Sequence, residues 1–245
     1  DLSLIAPGRP GAKKANENHA SRRGFSIYRP GLGRPGTDVA VEVLITSRGT
    51  LSQGRHQFTD RGREEELREL LHRRLLVLDG AMGTMLQARD LKAADFGGEA
   101  LEGCNENLVL TRPDVIQSVH ETYFAAGADI IETNTFGAIR HVLAEYGLQD
   151  KAREINKKAC ELGRAAAAKH ATKDRPRFVA GSLGPGTKAI SVTGGITYDE
   201  VLEGYREAAA GLLEGGADLI LLETQQDTIN IKASINGVHA AFRDA

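Results

Sequence analysis

The sequence contains no tryptophan, and aromatic residues make up only 5% of its 245 positions. Any core must therefore be aliphatic, which a hydrophobic content of 41% permits. There are only two cysteines, Cys104 and Cys160. They are too few for a disulfide framework, so a reducing cytoplasm is the expected compartment. Charge of one sign is also lacking. A net charge of −2 gives no reason to expect a nucleic-acid or membrane-surface partner. No apolar run approaches the roughly 18–20 residues of a membrane span, and the start lacks the apolar stretch of a secretory signal. The chain does not begin with Met and its last residues, His239 to Ala245, read as helix, so both ends read as cut.

Residues 1–62 differ from the remainder. They carry 10 Lys or Arg against 5 Asp or Glu, whereas residues 63–245 carry 21 against 28. Glycine-proline turns such as Arg29 to Gly36 break this stretch, and only Val39 to Ile45 reads as a strand. It is expected to be an irregular, mostly disordered N-terminal extension. From residue 63 the pattern becomes regular. A short charged helix from Glu64 to Arg74 precedes an apolar run at Leu75–Leu78. A helix beginning at Pro113, capped at or near Thr111, ends at Gly127. Ala128–Asn134 is a second strand, Asp150 to His170 a long alanine-rich helix, and Arg177–Ala180 a third strand. Tyr198 to Glu214 is a helix closed by Gly215-Gly216, Ala217–Leu222 a fourth strand, and a last helix starts near Thr228. The strands are short continuous apolar runs, as in a parallel sheet covered on both faces. Four β/α units favour an α/β barrel or a doubly wound sheet.

In either architecture ligands bind at the carboxyl ends of the strands. Strand one delivers Asp79-Gly80-Ala81-Met82-Gly83-Thr84, strand two Glu132-Thr133-Asn134-Thr135-Phe136, strand three Gly181-Ser182-Leu183-Gly184-Pro185, and strand four Glu223-Thr224. Three of the four end in a carboxylate. Such a set can hold an ammonium group while backbone N–H groups of the glycine-flanked turns receive a carboxylate, the two ends of an amino acid. It can equally hold Mg²⁺ or transfer protons, or each acid can simply cap the next turn.

These four strings, with Asn105-Glu106-Asn107-Leu108 and Thr111 to Ile116, resemble the homocysteine S-methyltransferase family, and within it the cobalamin-dependent methionine synthase branch. The resemblance runs from about residue 75 to residue 245 and implies a partial (β/α)8 TIM barrel of about four β/α units, residues 63–245. It implies homocysteine as substrate. Glu223 would hold its ammonium, Asp79 and Gly80 would order the pocket near the amino-acid group, and Thr133, Asn134, Thr135, Phe136 and Ser182 would line it. For the full-length enzyme it implies zinc, cobalamin and 5-methyltetrahydrofolate, with the rest of the barrel and the cobalamin and folate modules as partners.

This sequence departs from the family's pattern where the metal is concerned. The family's zinc is held by three cysteines, two of them adjacent in a Gly-Gly-Cys-Cys-Gly string near the barrel's end, and no such string occurs here. Cys160 reads as a core residue and Cys104 as an ordinary loop cysteine, so no metal ligand and no catalytic residue is assigned. His120-Glu121 lacks the second histidine of a zinc helix, because Phe124 stands in its place. His72, His141, His170 and His239 read as solvated. The loop Thr187 to Ile196 reads shorter than the family's. The expected activity is methyl transfer to homocysteine, incomplete and inactive in this chain alone. The alternatives are a betaine- or S-methylmethionine-type methyltransferase, a carboxylate-metal barrel enzyme holding Mg²⁺ at Asp79, Glu132 and Glu223, or a non-catalytic remnant. Half a barrel would expose two sheet edges and should associate or need its missing half.

Overall fold

The computed structural model describes residues 61–192 and 194–245, with the backbone of two short strands, β1 (Phe25–Ser26) and β2 (Glu42–Ile45). Arg61 and Gly62, read as the end of the N-terminal extension, are helical, and beyond them and the two strands the disorder expected for this stretch concerns positions outside the described residues. The helices are α1 (Arg61–Arg73), α2 (Met82–Gln87), α3 (Ala93–Phe96), α4 (Leu108–Thr111), α5 (Pro113–Ala126), α6 (Arg140–Leu143), α7 (Ala152–His170), α8 (Tyr198–Glu214) and α9 (Thr228–Asp244). The later strands are β3 (Ile130–Glu132), β4 (Phe178–Leu183) and β5 (Leu219–Leu222).

The sheet order is β1-β2-β5-β4-β3. The strands β3, β4 and β5 are parallel neighbours, with Ile131 opposite Val179 and Gly181 opposite Ile220. A parallel bridge from Leu78 to Ile130 extends the row beyond β3. The parallel strands therefore follow one another in chain order, without the reversal that marks a doubly wound sheet. At the other edge β2 runs antiparallel to β5, with Val43 opposite Leu221.

Period-two alternation separates the two faces of the parallel strands. Ile131, Val179, Leu183, Ile220 and Leu222 pack against residues of α7, α8 and α9 such as Cys160, Leu212 and Val238. Ile130, Phe178, Ala180, Leu219 and Leu221 pack instead with Leu67, Leu70 and Leu71 of α1. The core among the described residues is thus two sheet-face layers, with α1 over the inner one, and a third cluster that includes Leu108, Ile116 and Ile155. It is mostly aliphatic, as the composition implies, but Phe124, Phe178 and Tyr205 are among its largest fully buried side chains. Gly181 and Gly163 permit close helix–strand contact. A Cβ on Gly181 would lie 2.7 Å from Leu212, and one on Gly163 2.9 Å from Ile131.

Helix ends follow local chemistry. Thr197 and Glu200 form a reciprocal capping box at the start of α8, and Asp227 accepts from Ile229 N–H and Asn230 N–H at the start of α9. Gly127, at φ 112°, stops α5. Two expectations are corrected. The strand read at Leu75–Leu78 is only the bridge at Leu78, since among the described residues it has a neighbour on one side only, and Leu75 is 91% exposed. Thr111 does not cap α5. It belongs to α4, which runs up to Arg112, and its hydroxyl bonds back to the Asn107 carbonyl.

Candidate functional site

Continued along each inner-face column, the apolar residues give way to polar ones at the carboxyl ends. Phe178 and Ala180 lead to Ser182, Leu219 and Leu221 to Glu223, and Ile130 to Glu132. A cleft of about 340 Å³ opens there, bordered by Asp79 to Gly83, Asn105, Glu106, Glu132 to Phe136, Ser182 and Glu223. The eight positions singled out from sequence, Asp79, Gly80, Thr133, Asn134, Thr135, Phe136, Ser182 and Glu223, all border this one cleft.

The half-buried Asp79 accepts the Glu132 N–H with both carboxylate oxygens, at 3.1 Å each. Ser182 Oγ donates to Glu223 Oε1 at 2.5 Å. Glu132 borders the cleft beside them, and among the described residues no lysine, arginine or histidine does. Burial, then repulsion from Glu132 and Glu223, raises Asp79 to about 8 despite its backbone bonds. Burial and Glu223 raise Glu132 to about 7. Asp79 and Glu132 therefore hold their protons to higher pH than an ordinary carboxyl, and a cation brought beside them would favour their ionised form.

The Thr133–Phe136 segment borders the cleft, yet its hydroxyls act mainly as struts. Thr133 Oγ1 accepts from Ser182 N–H, Thr135 Oγ1 donates to the Ser182 carbonyl at 2.7 Å, and the two threonine hydroxyls are bonded to each other. Asn134 Nδ2 donates to the Asn105 carbonyl. Phe136, 43% exposed, lays its ring over Gly184, where a Cβ would come within 2.6 Å of it. Glu223 leads into Thr224, a β-branched residue at φ 58°, a strained conformation for such a side chain. That turn sends Glu223 to the cleft and Gln225 to the Gly184 carbonyl and the Tyr205 hydroxyl.

The sequence profile of homocysteine S-methyltransferase matches residues 76–243. The chain belongs to the homocysteine S-methyltransferase family. Relatives include the methionine synthases of Mycobacterium tuberculosis, 46% identical, and Mycobacterium leprae, 45% identical, each over 182 residues. That alignment takes in 74% of this chain and 15% of each relative, so the chain spans a small part of their length. Among solved structures, the metallated form of the homocysteine methyltransferase MmuM from Escherichia coli superposes with a TM-score of 0.60 at 28% identity, covering 73% of this chain and 64% of that one. The oxidized form gives 0.58 at 27% identity, covering 71% and 63%.

Zinc, which the family resemblance implies, does not fit the described residues. Cys104 and Cys160 are both fully buried in the hydrophobic core, in different clusters. Burial pushes both thiols upward, Cys104 to about 11, away from the thiolate a metal requires. No group of three or more His, Cys, Asp or Glu among the described residues is placed to hold a metal ion, which also removes the support for Mg²⁺ at Asp79, Glu132 and Glu223. Cys104 is thus a core residue, correcting its reading as an ordinary loop cysteine. His141 is corrected too: its ring packs beside Gly186, Gly204 and Tyr205, and neither nitrogen reaches solvent or a partner. The same holds for His120 and for Nε2 of His170. Sequence reasoning assigned no role to Asn105 and Glu106, although both border the cleft. Their membership of the Asn105–Leu108 string was the available signal.

Proposed function

We propose that residues 63–245 form part of a (β/α)8 barrel of the methionine synthase type, and that the cleft recognises the amino-acid end of homocysteine. The sequential parallel strand order and the helices α5 to α9 on the outer side support the partial barrel. The observation that carries the substrate assignment is the trio Asp79, Glu132 and Glu223 in one cleft that, among the described residues, no basic side chain borders. An ammonium group supplies the missing counter-charge and draws the raised carboxyl groups into their ionised form. Ser182 fixes one oxygen of Glu223 and leaves the other for the ammonium. Asp79 and the Gly80 turn order the neighbouring wall, and Phe136 offers apolar surface to the side chain.

In this reading the described residues bind and orient. Activation of the sulfur by zinc, and delivery of the methyl group from methylcobalamin and 5-methyltetrahydrofolate, fall to other parts of a longer protein working in the cytoplasm. No helix among the described residues is long and apolar enough to cross a membrane. Calorimetric titration tests the binding half directly. Homocysteine and methionine should both bind with release of protons, whereas 4-mercaptobutyrate, which lacks the ammonium, should not. Glu223→Gln should weaken homocysteine about 30-fold or more, the usual cost of removing one partner of a desolvated charge pair. Equal affinity for homocysteine and 4-mercaptobutyrate would overturn the assignment.

A further inference from the structure

We infer that Glu106 is a positioning residue for the cleft, acting as the clamp that sets the loop after β3. It lies in the single 3₁₀ turn Asn105–Asn107, between buried Cys104 and Leu108. Its Oε1 accepts the Gly137 N–H at 2.9 Å, thirty-one residues away. One residue earlier, the Asn105 carbonyl accepts from Asn134 Nδ2 at 2.7 Å. One residue later, Asn107 Nδ2 donates to the Phe96 carbonyl at 2.8 Å and ties the turn to α3. The segment 133–137 is therefore gripped from two sides, by Ser182 on β4 and by this turn. Gly137 independently marks the closeness of the grip. A Cβ there would lie 2.7 Å from Glu106 Oε1, so a side chain at 137 must shift the carboxylate from its present place.

Glu106 also borders the cleft and could instead act only through its charge, like Glu223. Three variants of the full chain separate the two roles. Glu106→Ala removes both bond and charge. Glu106→Gln keeps an acceptor and removes the charge. Gly137→Ala keeps the charge and displaces the bond. The readouts are hydrogen exchange of the amides of residues 133–137 and the dissociation constant for homocysteine, of which the second rests on the proposed function and the first does not. A positioning role predicts exchange about 10-fold faster in Glu106→Ala and Gly137→Ala, the effect of losing one partly buried hydrogen bond, with Glu106→Gln within about threefold of the parent. Homocysteine affinity should follow the same order. Loss in Glu106→Gln equal to that in Glu106→Ala, with Gly137→Ala like the parent, would overturn the inference in favour of charge. Unchanged exchange in Glu106→Ala would overturn it outright. If the parent chain binds no homocysteine, the proposed function fails while the exchange series still decides the clamp.

Discussion

The two ends of the parallel strands treat buried acids in opposite ways. At the amino-terminal end, Asp129 precedes β3 and Asp218 precedes β5, each nearly buried. Arg74 grips Asp129 with two nitrogens at 2.7 and 2.9 Å, Arg175 and Arg177 stand 3.6 Å away, and the Val77 N–H adds a fourth partner. Arg63 grips Asp218 in the same bidentate manner, with Arg164 and the Val179 N–H beside it. At the carboxyl end Asp79, Glu132 and Glu223 share a cleft that, among the described residues, no cationic side chain borders. Burial pulls Asp129 upward, but Arg74, Val77 and the neighbouring guanidinium groups outweigh it and hold the carboxyl below its usual range. The difference teaches that burial alone does not decide an acid's state. Satisfied pairs build the scaffold, and an unsatisfied group marks where a ligand completes the charge balance.

The largest expected effect breaks the scaffold end. Asp129→Ala strands Arg74, the buried Arg177 and the Val77 N–H at once, and should cost about 3–5 kcal/mol in urea unfolding. A loss near 0.5 kcal/mol would mean the two ends are equivalent after all. The pH dependence of stability sharpens the contrast. Asp79 and Glu132 have folded values of about 8 and about 7, above their unfolded values, so the native state holds more protons than the unfolded state in between. Stability should therefore fall as pH rises from about 4 to about 8. Asp79→Asn should flatten that decline. Asp129 has the opposite sign, with its contribution present above the unfolded carboxyl value and lost only as pH falls through its lowered one. Melting temperatures across pH 3 to 9 would show a maximum on the acid side of neutrality, and an optimum above about pH 8 would contradict the unpaired-acid picture. The smallest effect concerns Thr224. Replacing it by glycine relieves the φ of 58° and should stabilise the fold by about 0.5–1 kcal/mol while loosening Glu223 and weakening homocysteine binding. Unchanged stability would mean the turn stores no strain.

Much of this architecture was legible in the residues themselves. The bounds of α8 and the start of α9 at Thr228 agree with the sequence reading, because Thr197-Glu200 and Asp227 are capping chemistry and Gly215-Gly216 is a stop. The strands β3 and β5 needed only the apolar continuity of Ile130-Ile131 and Leu219–Leu222. Leu75–Leu78 misled because an apolar run becomes a strand only where it finds pairing neighbours on the sheet. Thr111 misled because cap chemistry depends on whether the preceding residues are already helical. Cys104 and His141 were misplaced because neither periodicity nor residue type reports what other segments lie against a short turn.

The sequence by itself determined the β/α alternation, the family, and the acids at the strand ends, since these rest on local pattern and on contiguous strings. Only the tertiary structure decided that Asp129 and Asp218 are neutralised while Asp79, Glu132 and Glu223 are not. It also decided that Thr133 and Thr135 spend their hydroxyls on Ser182, and that Glu106 reaches Gly137 across thirty-one residues. The reason is physical: a carboxylate's state is set by the charges and dipoles within a few ångströms of it, and those come from segments far apart in the chain.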